Sequence, residues 1–295
     1  MPYAASFSAE VSTRPGLAFT YEGNDPALLE RVLPLVDYIE VTPDTIAEMR
    51  DDGVALHAPT IAELQNIGSD AKIIVHGVGL SIGSYDGYSR QYIRLLDEIM
   101  SKLDVAWHSE HLAYTMVDGQ NLGTMLALPK TDEVLDMICQ RVGELQARYT
   151  VPFLLENVVH VLPELPGDYS DAAFLNALVA RTGCGLILDV YNLECDARNY
   201  GFDIPAFLAE LNLAAVRELH VAGGIEHKGF QLDVHSRLPQ PSTVALAQQV
   251  TRMAHGSVKA VTYEVLREAV PVLGHDAITD ELARLGKRLD QIVWN

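Results

Sequence analysis

Short apolar runs recur along this chain at strand length, each followed by a polar or glycine-bearing loop and then by a stretch with helical spacing. The runs are GLAFT (16–20), VDYIEV (36–41), KIIVH (72–76), DVAWHSEHL (104–112), VPFLLEN (151–157), CGLILDV (184–190), VRELHVAG (216–223) and VKAVTYEV (258–265). Each is rich in Val, Ile, Leu or aromatic residues, as a buried β-strand requires. Residues 86–102 place Tyr92, Leu95, Leu96 and Ile99 on one helical face. Residues 131–149 open on Thr131, Asp132 and Glu133, a helix-start signature. Their apolar positions Val134, Met137, Ile138, Val142 and Leu145 recur at threes and fours. Segments 170–182, 204–213, 241–254 and 276–291 behave similarly. Continuous apolar strands alternating with helices predict a parallel sheet covered on both faces. Eight such units in 295 residues predict an α/β fold, a single (β/α)8 TIM barrel. A doubly wound sheet is the alternative, but no glycine-rich dinucleotide fingerprint follows an early strand. No Pro/Ser-rich linker divides the chain, so residues 16–295 are expected to form one domain behind a short disordered lead over 1–15.

The residues at the strand ends change the picture from fold to chemistry. Strand three ends in His76, strand four in His111, strand five in Glu156, strand six in Asp189 with Asn192 three residues later, and strand seven in His220. Asp233 and His235 follow as a D-x-H pair, and the last strand carries Glu264. In a barrel these ends converge on one mouth, where active sites form. A single histidine at a strand end is usually a solvated or hydrogen-bonding residue, and a D-x-H pair is usually a turn feature. Their shared position class is what points to a metal site. Parity agrees: Ile74 with His76, Leu154 with Glu156 and Ile187 with Asp189 point the same way, giving apolar filling below and ligands above. Nine ligands are too many for one ion, and a shared carboxylate such as Glu156 suggests two or three. Mixed imidazole and carboxylate donors suit iron, zinc or manganese alike. His108 and Glu110 flank His111 with the opposite parity and are expected to support the site. Tyr191 and Arg237 lie near the expected mouth as candidate substrate contacts.

Composition then narrows the partners. The net charge is −19, with 40 acidic against 21 basic residues. This argues against nucleic acid, whose backbone needs a Lys/Arg surface, and against anionic membranes. It leaves room for metal cations and for neutral or basic peptides. No run of 18 or more apolar residues offers a membrane span, and MPYAASFSAEVSTRPG lacks the basic and apolar regions of a secretory signal. Three cysteines, odd in number and without C-x-x-C spacing, fit a reduced, cytoplasmic protein.

The ligand order resembles that of the three-zinc apurinic endonucleases among the xylose-isomerase-like barrels, except that Asn192 stands where those have histidine. A closer resemblance is to the multinuclear non-heme iron-dependent oxidases, the family of the methanobactin biosynthesis oxidase. It is carried in order by HGVGLSIGS (76–84), Ser109–Leu112, LLEN (154–157), CGLILDVYN running on to ARNYGFD (184–203), ELHVAGG (218–224), DVHS (233–236) and YEV (263–265). Tyr191 and Tyr200 depart from the family pattern, as does EVTPDT (40–45). The resemblance implies two or three iron ions, Fe(II) or Fe(III), with O2 as co-substrate. His76, His111 and Glu156 would hold one ion; Glu156, Asp189, His220 and Glu264 a second; Asn192, Asp233 and His235 a third. Asp189, His220 and Glu264 would be the ligands nearest the chemistry. It further implies oxidation of a cysteine residue in a ribosomally made precursor peptide, through an iron-bound thiolate that loses a β-hydrogen. A small leader-recognition partner protein would accompany it. A zinc- or manganese-dependent hydrolase or isomerase, and a metal store or peptide-binding chaperone without turnover, are the alternatives.

Overall fold

Helix starts in this chain are written by side chains that accept backbone N–H groups. Ser89, Thr131, Ser170 and Asp203 cap their helices in this way, and Gly183 and Gly201 end two helices in the left-handed conformation. In the computed structural model, which describes residues 14–50, 53–68, 70–163 and 167–292, these helices alternate with eight parallel strands. The strands are β1 (Gly16–Thr20), β2 (Tyr38–Val41), β3 (Lys72–Gly77), β4 (Val105–His111), β5 (Phe153–Glu156), β6 (Gly185–Asp189), β7 (Val216–Val221) and β8 (Ala260–Tyr263). They close in sequential order, with β1 pairing both β2 and β8. The protein is a (β/α)8 barrel.

Its outer helices include α1 (Pro26–Val32), α2 (Ala58–Asn66), α3 (Arg90–Lys102), α4 (Asp132–Arg148), α5 (Asp171–Thr182), α6 (Val190–Tyr200), α7 (Ile204–Glu210), α8 (Pro241–Met253), α9 (Val270–Leu273) and α10 (His275–Asp290). The main apolar core lies between these helices and the outward faces of the strands. A second, smaller core fills the lumen, built from Ala18, Ile74, Trp107, Leu154, Ile187 and Ala260. Two residues further along the strands, at His76, Glu156 and Asp189, the lumen turns polar. This is the alternation that the strand parity predicts.

Three short antiparallel pairs extend the strand ends at the mouth: Ala47–Arg50 with Gly53–Leu56, Ala113–Val117 with Gln120–Ala127, and Ile225–His227 with Phe230–Leu232. The expected N-terminal lead lies, over residues 1–13, outside the described residues. Arg14 and Pro15 are packed on the barrel, with Arg14 Nε 3.1 Å from Asp290 and Pro15 buried. Among the described residues no helix is long and apolar enough to cross a membrane.

Candidate metal centre

The upper lumen brings together eight of the nine residues singled out at the strand ends, and the ninth, Asn192, is held beside Asp189 by its backbone N–H. His76, on β3, places Nε2 2.9 Å from Glu156 Oε2 and 3.4 Å from His111 Nε2. His111 Nε2 is in turn 3.1 Å from the same Glu156 oxygen. The other nitrogen of each ring is held: His111 Nδ1 donates to Gly77 O at 2.8 Å, and His76 Nδ1 meets Ser109 Oγ at 2.9 Å. Two imidazole lone pairs and a carboxylate oxygen facing one point are the geometry of ligands around a cation. Without a cation, the charge of Glu156 is met by protons on the imidazoles.

A second group lies deeper. His220 Nδ1 is 3.0 Å from Glu156 Oε1 and 3.1 Å from Glu264 Oε2. Glu156, Asp189, His220 and Glu264 each offer one donor atom, all within 4.8 Å of one another. Asp189 ends β6 and is also the N-cap of α6. Its Oδ1 accepts from Tyr191 N at 2.6 Å and Asn192 N at 2.9 Å, which leaves Oδ2 buried and without a partner. Asn192, in the first turn of α6, spends its amide nitrogen on Asn157 O and keeps Oδ1 free. Asp189, Asp233 and His235 form a third group within the same 4.8 Å limit. His235 sits at φ 41°, a left-handed conformation that a non-glycine residue adopts under constraint.

Electrostatics tie these groups into one unit. Burial alone would lower the His76 pKa, but the charges of Glu156 and Glu40 raise it to about 9. Burial opposes ionisation of Glu156 and Glu264. The imidazoles of His111, His220 and His76 nonetheless hold Glu156 well below the usual range, and His220 and His235 bring Glu264 down to about 2. Asp189 goes the other way: burial and the nearby charges of Asp233, Glu156 and Glu264 raise it well above an ordinary carboxylate. Such a crowd of acceptors is stable as a set when cations share it.

Sequence reasoning missed one buried member. Glu40, at the end of β2, is fully buried, and with His76 and His220 it completes a further group of donor atoms within 4.8 Å. It shares inward parity with Tyr38 and a strand-end position with the other candidates, which is the signal that could have found it. Tyr191, by contrast, does not face the mouth. It is buried, and its hydroxyl meets Gln231 Nε2 at 2.6 Å and Leu232 O at 3.4 Å. It ties α6 to the hairpin that leads into Asp233. Arg237 donates to Ser236 O beside it.

The sequence as a whole matches the family described as "RiPP precursor modification enzyme MbnB/TglH/ChrH" over residues 15–271. The chain belongs to the MbnB/TglH/ChrH family. A "UPF0276 protein" of Caulobacter vibrioides is 31% identical over 235 residues, covering 80% of this chain and 81% of that protein. Another from Bordetella pertussis is 37% identical over 179 residues, 61% of each chain. In fold the barrel is similar to a xylose isomerase domain-containing protein of Salmonella typhimurium (TM-score 0.65, 13% identity, covering 96% of this chain and 100% of that one). It is also similar to the D-psicose 3-epimerase of Clostridium cellulolyticum (TM-score 0.60, 12% identity, covering 96% and 100%). At such identities the likeness is one of fold, and it makes this member of the MbnB/TglH/ChrH family a xylose-isomerase-like barrel.

In this MbnB/TglH/ChrH member a cavity of about 610 Å³ opens directly over the metal-ligand candidates. His76, His111, Asp233, His235 and Glu264 reach its wall. Glu156, Asp189, Asn192 and His220 lie beneath, almost fully buried. The HGVGLSIGS segment builds the near rim. Ser81, itself at φ 57°, accepts Thr115 N at 2.7 Å and so pins the 113–127 hairpin over the opening.

Proposed function

We propose that this protein is an iron- and dioxygen-dependent oxidase that modifies a cysteine residue of a ribosomally synthesised precursor peptide. The family match implies an enzyme acting on such a peptide. The observation that carries the metal chemistry is the convergence of buried donors that meet one another: Glu156 Oε2, His220 Nδ1, Glu264 Oε2, Asp233 Oδ1 and His235 Nε2 face other members of the site at 2.7–3.1 Å, and Asp189 Oδ2 and Asn192 Oδ1 are buried without a partner. Buried polar atoms are ordinarily satisfied by the surrounding fold, so a cluster of carboxylates and imidazoles whose free atoms meet only one another is best read as a set of ligand atoms. Oxygen and imidazole donors without thiolate suit iron in two or three positions. The donor types fit zinc and manganese too; the choice of iron rests on the family resemblance and on the neutral amide oxygen of Asn192 at a position where the zinc endonucleases carry imidazole.

Bound iron would supply electron transfer to dioxygen and would deprotonate a thiol that coordinates it. The chain's own residues account for the rest. Glu156 spans the His76–His111 pair and the His220–Glu264 group, so it is the residue suited to bridge two ions. The wall residues His111, His235 and Glu264 leave the site open only toward the cavity, which sets where a cysteine side chain enters. Glu22, Asp44 and several threonines line the cavity rim, which favours a neutral or basic peptide segment. Met49, Val78, Tyr85, Val117, Leu122 and Leu266 are exposed on mouth-side loops and give a peptide, or a small leader-recognition partner, apolar surface to dock on. Cys139, Cys184 and Cys195 are all free, consistent with a reduced, cytoplasmic setting.

The test is oxygen consumption by the anaerobically purified, iron-loaded protein given a cysteine-bearing precursor peptide. Stoichiometric O2 uptake with a mass change on the cysteine residue is expected. Turnover that ignores oxygen would indicate a zinc or manganese hydrolase or isomerase, and tight metal without turnover would indicate a store.

A further inference from the structure

The three histidines that touch Glu156 do not have equivalent backing. His111 is backed by a carbonyl, Gly77 O, and His76 by a hydroxyl, Ser109 Oγ, which itself donates to Val75 O at 3.1 Å. His220 is backed by carboxylates. Its Nε2 lies 3.3 Å from Glu40 Oε2 and 3.5 Å from Glu218 Oε1. The two carboxylates are not interchangeable. Glu218 has both oxygens engaged: Oε2 accepts Trp107 Nε1 at 2.8 Å, and Oε1 accepts Thr262 Oγ1. Glu40 has Oε1 anchored by Thr20 Oγ1 at 2.7 Å, while Oε2 is buried and no hydrogen bond engages it. The Nε2 of His220 is likewise buried without another partner.

From this we infer that Glu40 is a positioning residue: its free oxygen takes the Nε2–H of His220, fixes the tautomer, and turns Nδ1 toward Glu156 and Glu264 as the ligating nitrogen. The inference rests on the metal reading of the site. A carboxylate behind a histidine ligand fixes ring orientation and makes the imidazole a stronger donor than a carbonyl or hydroxyl does. The deepest position, that of Glu156, Asp189, His220 and Glu264, therefore has a more electron-rich histidine than the His76–His111 position. The anchor Thr20 is on β1, next to β2 with Glu40, and His220 is on β7, three strands from β2. One chain of polar contacts thus runs from two neighbouring strands to a single ligand nitrogen.

Anaerobic titration of the full-length apoprotein with Fe(II) alone tests this, comparing wild type with Glu40→Gln. The glutamine fills the same space and removes only the charge, so a space-filling role predicts no change. The expected result is the wild-type number of equivalents at saturation, with one of them bound about 10- to 100-fold more weakly. Affinity within twofold of wild type for every equivalent would overturn the assignment. So would loss of a whole equivalent at saturation, because Glu40 would then be a ligand itself. If Glu40→Gln does not accumulate as folded protein, Glu40→Asp decides: it keeps the charge, draws it back from His220, and must weaken the same equivalent. A wild type that binds no Fe(II) would instead sink the metal reading on which the inference stands, and the two failures are told apart in the same experiment.

Discussion

The two faces of β4 carry the same kinds of residue and do opposite things. On the inner face, Ser109 and His111 stand with His76 beside Glu156. On the outer face, His108 and Glu110 are just as buried, each about 1% exposed. His108 sits between the rings of Tyr149 and Phe153 with both nitrogens unpartnered, and burial drives its pKa down to about 3. His76, equally buried, is raised to about 9 by its carboxylates. Burial alone gives a neutral imidazole, as at His108; at His111 the charge of Glu156 offsets burial only in part, and at His76 the charges of Glu156 and Glu40 overturn it. Glu110 makes a related point: burial pushes it up to about 8, and the Tyr92 hydroxyl and the charge of His76 offset only part of that.

Substitutions on the two faces should separate accordingly. The largest effect is expected from Asp189→Ala or His220→Ala, which remove inner-face donors. Bound iron and turnover should fall together, by more than the ~100-fold typical of residues that only support a ligand. Either variant retaining full iron and full activity would refute the ligand assignment. Next comes Gly77→Ala, which strikes where the two faces meet. A Cβ there would lie 1.8 Å from Glu110 Oε1 and 2.0 Å from the Tyr92 hydroxyl, both packed behind the carbonyl that holds His111. Overpacking of this kind costs roughly 2–3 kcal/mol. A thermal-unfolding midpoint unchanged from wild type would show that the packing yields.

Protons provide a subtler separation. In the metal-free protein His76 stays protonated up to about pH 9, and Asp189 is raised as well. A metal must displace those protons, so its affinity should rise between pH 6 and 8, by about tenfold per unit for each proton displaced. Affinity flat with pH over that range would contradict the charged inner face. The smallest effect is expected outside the barrel. His108→Leu removes two buried, unsatisfied nitrogens from an apolar pocket and should leave iron content unchanged, with stability shifted by about 1 kcal/mol or less. Loss of iron in this variant would mean that the outer face takes part.

Much of this was legible in the sequence because the barrel's two periodicities are strict. Runs of Val, Ile and Leu gave the eight strands, and Ile74, Leu154 and Ile187 lie in the lumen where parity put them. The strand-end rule likewise gathered nine residues, eight of which meet in space. It failed at Glu40, because this acid stands inside the run VDYIEV and reads there as a break in an apolar strand. It also misplaced Tyr191, whose position beside Asp189 suggested the mouth. Residues 190–200 fold as a helix immediately after β6, and that helix turns the ring toward Gln231 instead of the cavity. The 113–127 hairpin was hidden for a different reason. Its second strand, Gln120–Ala127, is largely exposed and polar, and gains its conformation from Ser81 and from pairing with 113–117, not from its own pattern.

The central claim is that the buried donors clustered around Glu156 are ligands of iron, and elemental analysis of anaerobically purified protein tests it most directly. The account predicts two or three iron atoms per chain. Fewer than one metal atom per chain, or full occupancy by zinc without iron, would contradict it.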